Sequence, residues 1–162
     1  MNRFLVFLVI CLILAVLASS RMSPGGRAKP PEPAKEAQKT TLTPQDLIAL
    51  KVLPKVQTVS SGQVVDLEQC AVKGGVTIFD FYADWCGPCQ QMAPHVEALV
   101  EQHDRVFLRK INIEDWGSPV AKQHHIRSIP ALWVYGKDGK LFKKPGSDFQ
   151  ALQLALEEAL KN

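Results

Sequence analysis

The sequence has little net charge, few cysteines and no internal repeat. Nineteen Lys and Arg against sixteen Asp and Glu leave a net charge of +3, and no basic cluster with interleaved aromatics concentrates it. This excludes the electrostatic footprint of a nucleic-acid binder. Four cysteines in 162 residues are too few for a disulfide-scaffolded mini-protein. A structural zinc site wants four ligands, yet no second Cys-x-x-Cys accompanies Cys86 and Cys89. His124 and His125 are adjacent, so on a helix they point about 100° apart and do not converge on one ion. None of the histidines belongs to a recognisable nucleophile triad, and His95, His103, His124 and His125 read as solvated helix residues. What is present is an ordinary globular composition, 46% apolar and 22% charged, at a length that suits one domain.

The chain divides by composition. Residues 1–20 carry one basic residue, Arg3, followed by an unbroken apolar stretch from Phe4 to Ala18, an export signal or N-terminal membrane anchor. Cys11 lies within it. Ala18 and Ser20 are small enough for a cleavage site. The basic residues Arg21, Arg27 and Lys29 follow the segment, a placement the positive-inside rule does not favour for an exported domain. Residues 21–44 are rich in Pro, Lys, Glu and Ala with almost no large apolar residue, which reads as a semi-extended tether or a frayed extension. Residues 45–162 are expected to form the folded domain.

Within that domain, Thr43-Pro-Gln-Asp places a capping side chain, a first-turn proline and an acid ahead of a helix that ends at Pro54. "KVQTVSSGQVVDL" reads as two short strands about a Ser-Gly turn. "VTIFDFY", Val76 to Tyr82, is apolar on both faces and hence a central strand. A helix follows from about Gly87 to His103, with Met92, Val96, Leu99 and Val100 at helical spacing and a kink expected at Pro94. A strand over 105–113, a short helix over 118–125, a hairpin turning at Lys137 to Gly139 and a final helix over 148–160 complete the pattern. The last helix reads as apolar at Phe149, Leu152, Leu154, Ala155 and Leu160. The fold class is α/β, a central mixed β-sheet flanked by helices.

Cys86 and Cys89 fall at the carboxyl end of the central strand, where open α/β sheets place their sites. As residues alone they are a redox pair, half of a metal site or a structural staple. A helix N-terminus stabilises a thiolate through its unpaired N–H groups and its dipole. Cys86 is placed to receive that help, attack a disulfide and pass the mixed disulfide to Cys89, one turn further on. Gly87 relieves crowding around the attacked sulfur, and Pro88 is pre-set for a first helical turn. Asp80 sits in the middle of an apolar strand, where burial raises a carboxyl pKa, and Lys110 lies on the neighbouring strand within reach of it. Pro130 opens a strand, where its missing N–H matters least and a cis bond after Ile129 is allowed. Cys70 reads as a small buried hydrophobe or a regulatory third thiol. Trp116 and Trp133 read as packing residues.

With Asp80, Trp85-Cys-Gly-Pro-Cys89, Pro94 and Ile129-Pro130, the chain resembles the thioredoxin family over about Val56 to Leu160, with no mid-domain insertion between Cys89 and Pro130. The resemblance implies a thioredoxin-like fold and a thiol-disulfide oxidoreductase acting as a protein-disulfide reductase, with no cofactor beyond the redox-active pair. It makes Cys86 the attacking and Cys89 the resolving cysteine, Asp80 a buried proton carrier with Lys110 beside it, and Pro130 a cis-proline. Trp85, Gly87, Pro88, Ile129 and Pro130 would form the substrate-binding surface, and Lys110, Pro94, Gly139 and Gly146 match the family pattern. Gly-Pro between the cysteines resembles the reducing branch, whereas Gln90 stands where many thioredoxins carry lysine. The export segment and the expected hairpin at 55–67 look like membrane-tethered relatives outside the cytoplasm, periplasmic or on the outer face of an inner membrane. Protein disulfides and a membrane electron donor are then the expected partners. A disulfide oxidase or isomerase, and a non-catalytic binding module, are the alternatives.

Overall fold

The computed structural model describes residues 43–162. The expected leader, and all but the last two residues of the expected linker, lie outside the described residues. Among the described residues, no helix is long and apolar enough to cross a membrane.

The first element, α1 (Pro44–Val52), starts as its sequence dictates. Thr43 is the N-cap, its hydroxyl accepts from the Asp46 N–H, and Asp46 reaches back to the Thr43 N–H in a capping box. The order that follows is β1 (Val56–Ser61), α2 (Leu67–Cys70), β2 (Val76–Tyr82), α3 (Gly87–Glu101), β3 (Val106–Asn112), α4 (Pro119–Gln123), β4 (Ala131–Tyr135), β5 (Leu141–Gly146) and α5 (Phe149–Lys161).

The five strands form one mixed sheet in the order β1-β3-β2-β4-β5. β1, β3 and β2 run parallel, joined by crossovers, while β4 is antiparallel to β2 and β5 antiparallel to β4. The central position of β2 follows from its composition, for every residue from Val76 to Phe81 is buried. Side chains alternate across the sheet. Phe79 and Phe81 pack on one side with Val120, Ile126 and Trp133. Val76 and Ile78 pack on the other with Val96 and Val100 of α3 and Leu152 and Leu156 of α5. The β4-β5 hairpin turns through Gly139, whose φ of +77° lies in the left-handed region that only glycine adopts without strain.

Three expectations are corrected. Residues 55–67 form one strand and a short helix rather than a hairpin. After Gly62, the backbone of Val65 is satisfied by the Gln123 side chain, N–H to Oε1 at 2.9 Å and Nε2 to O at 3.0 Å, so no partner strand is needed. Asp66 then caps α2 by accepting from Glu68 and Gln69. With the hairpin goes one of the two features that suggested membrane-tethered relatives. In α5 the buried face is Leu152, Ala155, Leu156 and Ala159, while Leu154 is 56% exposed because it lies two positions, about 200°, around the helix from Leu152. Trp116 is also exposed, at 49%, and does not pack in the core.

Candidate active site

The site is assembled where β2 ends and α3 begins. Cys86 is the N-cap of α3, Gly87 and Pro88 occupy its first two positions, and the Cys89 N–H donates to Cys86 Sγ at 3.2 Å. A backbone donor at a helix start thus points at the sulfur named from sequence as the nucleophile. Cys86 and Cys89 are joined in a disulfide, with Cα atoms 5.3 Å apart. Both cysteines are 4% exposed, whereas Trp85, Gly87 and Pro88 around them are exposed. Apart from its two chain neighbours and the backbone of its own helix, a Cβ built on Gly87 would meet no atom within 4 Å. No other part of the fold therefore requires glycine at this position. The helix continues through Pro94.

The peptide bond between Ile129 and Pro130 is cis. Ile129 packs against the same apolar cluster that contains both cysteines. Trp85 Nε1 donates to the Glu114 carbonyl at 2.5 Å, and its ring meets Trp116 edge-on with centroids 5.8 Å apart. Asn112 braces this corner, donating from Nδ2 to Asp84 at 3.0 Å and accepting the Glu114 N–H at 2.8 Å. Gln90, in the position where lysine is common, donates to the Asp84 carbonyl at 2.6 Å.

Behind the sulfurs a cleft of about 290 Å³ is lined by Asp80, Tyr82, Asp84, Cys89, Gln90 and Lys110, among others. Asp80 is 4% exposed and its Oδ1 is buried without a hydrogen-bond partner among the described residues. Burial pushes its carboxyl up to about 6, against the opposing pull of the Lys110 charge and with a smaller push from Glu97. Lys110 stands directly opposite Asp80 in the β2-β3 register. Its ammonium, however, pairs with Glu97 Oε1 at 3.0 Å and lies 5.1 Å from the centre of the Tyr82 ring. Burial lowers the Lys110 pKa, but the Glu97 hydrogen bond and the charges of Glu97, Asp80 and Tyr82 outweigh it and hold the value above normal.

Of the site residues named from the sequence, Asp80, Cys89 and Lys110 line the cleft, Cys86, Gly87 and Pro88 start α3, and Ile129 packs on the apolar cluster that includes both cysteines. Glu97, Asn112, Glu114 and Trp116 were not foreseen. For Glu97 a signal existed, since Cys89, Ala93 and Glu97 follow one another at four-residue spacing and share a helix face. His124 corrects the expectation of a solvated ring. It is half-buried against Phe81 and Trp133, its Nε2 bonds the Val65 carbonyl at 3.1 Å, and burial lowers its pKa. Cys70 is a free, half-buried thiol beside the core, its pKa raised by burial and by Asp66 against the pull of Arg109. Among the described residues no cluster of three or more His, Cys, Asp or Glu is arranged to hold a metal ion.

A Cys-x-x-Cys pair capping a helix at the end of a central strand, with a cis-proline strand beside it, defines a thiol-disulfide exchange protein. The thioredoxin family model matches residues 51–158, well over half of the chain, and the protein belongs to the thioredoxin family. It is 42% identical over 66 residues to thioredoxin of Chlamydia caviae, covering 41% of this chain and 63% of that protein, slightly less than two thirds. It is 32% identical over 106 residues to the mitochondrial thioredoxin-2 of Schizosaccharomyces pombe, covering 65% of this chain and 77% of that one. Among solved structures, the short form of spinach chloroplast thioredoxin f matches with a TM-score of 0.55 at 25% identity, covering 65% of this chain and 94% of that chain. Members of this family are disulfide oxidoreductases acting on protein disulfides, and they work with a redox-active cysteine pair and no cofactor.

Proposed function

We propose that the domain over 45–162 is a protein-disulfide reductase working outside the cytoplasm, delivered there by residues 1–20 as an export signal or a retained membrane anchor. The observation that carries the catalytic part is Cys86 Sγ receiving the Cys89 N–H at the start of α3. In the reduced protein that donor and the helix dipole stabilise a Cys86 thiolate. The thiolate attacks one sulfur of a substrate disulfide, forming a mixed disulfide, and the other substrate sulfur leaves as a thiolate that takes a proton from water. Cys89 then gives its proton to Asp80 and attacks Cys86 Sγ. The bond from Cys86 to the substrate breaks, the second substrate thiolate departs and is protonated, and the Cys86–Cys89 disulfide remains. The substrate has gained two electrons and two protons. Asp80 is suited to the proton because it is buried, unpartnered and poised at about 6. Lys110 tunes that carboxyl. The backbone at Ile129 and Pro130 pairs with an extended substrate segment, and Trp85, Gly87 and Pro88 form the rest of the contact surface.

The location rests on the apolar stretch from Phe4 to Ala18 after Arg3. A compartment without a cytosolic reductant supply requires re-reduction by a membrane electron donor. The test is a Cys89→Ala variant of the full chain expressed in its own cells. It should accumulate substrate proteins as mixed disulfides on Cys86, in an extracytoplasmic or membrane fraction. Recovery of no disulfide-linked partner overturns the reductase reading, and recovery only from the cytoplasm overturns the location. A measured reduction potential above about −180 mV would make the protein a disulfide donor instead.

A further inference from the structure

Lys110 and Asp80 are in-register neighbours on β3 and β2, the arrangement in which a buried acid and a base ordinarily close into an ion pair. They have not done so. Lys110 Nζ is bonded to Glu97 Oε1 at 3.0 Å, above the Tyr82 ring, while Asp80 Oδ1 stays buried and unpartnered. Glu97 projects from α3, two helical steps of four residues beyond Cys89, and its side chain is 43% exposed against 20% for that of Lys110. The lysine is thus drawn outward, toward solvent.

We propose that Glu97 is a positioning residue for the exchange reaction, holding Lys110 at the rim of the cleft so that the Asp80 carboxyl stays unpaired and able to take and return the Cys89 proton. This rests on the reading of Asp80 as the proton carrier given above. A carboxylate locked to an ammonium is a weak base. One left alone in an apolar site is a stronger one, and it becomes a usable acceptor near neutral pH. The groups that face Asp80 are Lys110 from β3, Cys89, Gln90 and Glu97 from α3, Tyr82 from its own strand and Asp84 from the loop beyond it. Leu132, its partner on β4, is apolar. Of these groups Lys110 alone is cationic, so the position of its ammonium sets how far an opposing charge offsets the burial that raises the carboxyl.

The test is a pH titration of the Asp80 carboxyl by infrared or carbon NMR in the oxidised full-length chain. The parent should titrate at about 6. Glu97→Gln releases Lys110 toward Asp80 and lowers the midpoint by roughly one unit, Glu97→Asp restores most of it, and in a Lys110→Met background the Glu97→Gln shift falls to less than half. The acid limb of the pH dependence of the resolving step should move down with the midpoint. A midpoint that Glu97→Gln leaves unmoved or raises overturns the proposal, as does a drop of equal size with and without Lys110, since that is simple charge removal. Failure of the underlying reading is separable. If Asp80→Asn resolves mixed disulfides as fast as the parent, Asp80 carries no proton and Glu97 has no part in exchange, whatever the titration says of Lys110.

Discussion

Strand β2 buries two polar side chains and treats them differently. Near its amino end Thr77, 0% exposed, accepts the Val72 N–H on Oγ1 at 2.9 Å and so closes the turn that leads into the strand. Near its carboxyl end Asp80, 4% exposed, has an oxygen with no partner. Buried polar groups in proteins are nearly always satisfied, because an unmet donor or acceptor costs about 1–3 kcal/mol. The strand therefore obeys the rule where only the fold is at stake and breaks it beside the cysteines. A destabilised carboxyl at that end of the strand is the expected signature of a group kept for chemistry.

Four substitutions break or sharpen this contrast. The largest effect belongs to Cys86→Ser, which should abolish insulin reduction while leaving the reduced protein within about 0.5 kcal/mol of the parent by urea unfolding, because serine is itself a good N-cap. Next, Asp80→Asn should slow reduction on the order of 10²-fold at pH 7 by removing the proton acceptor. It should also erase a pH dependence of stability whose sign follows from the raised pKa. With the carboxyl at 3.8 unfolded and about 6 folded, the Asp80 contribution to stability is fully present below about pH 4, and roughly 3 kcal/mol of it is lost as pH rises through about 6 toward 7. The Asp80→Asn variant should show no such loss in denaturant melts across that range. Thr77→Val, the structural counterpart, should cost about 1–3 kcal/mol by orphaning the Val72 N–H and leave the pH profile of activity in place. The smallest effect is expected from Trp116→Ala. Its exposed edge-on contact with Trp85 is worth about 0.5 kcal/mol in unfolding experiments, with a change in Trp85 fluorescence reporting the lost neighbour.

The same contrast explains what the sequence made legible. β2 and α3 were readable because their signals are local and strong: an apolar run too short for a helix, and apolar positions at helical spacing after a Gly-Pro start. The Asp80 anomaly was visible as a charge inside that run, and Lys110 as its neighbour, since strand alternation fixes which side chains share a face. The cis bond at Pro130 depended on a position rather than a pattern, and the family resemblance supplied the rest. Glu97 escaped because its role arises only when α3 is laid across β3, a tertiary relation. The missing second strand at 63–67 has a similar cause. Val65 finds its hydrogen bonds on Gln123, 58 positions away, and no local reading of "GQVVDL" anticipates that. His124 and Trp116 exchanged their expected environments for the same reason, the histidine being covered by Phe81 and Trp133 and the tryptophan left on the rim beside Trp85.

The measurement that bears most directly on the central claim is iodoacetamide alkylation of Cys86 in the reduced protein, followed by mass spectrometry from mildly acidic to neutral pH. A sulfur that caps a helix and receives a backbone N–H should react as a thiolate well below the ~8.5 of a free cysteine, with Cys89 and Cys70 lagging behind it. A Cys86 alkylated no faster than free cysteine over that range would contradict the account.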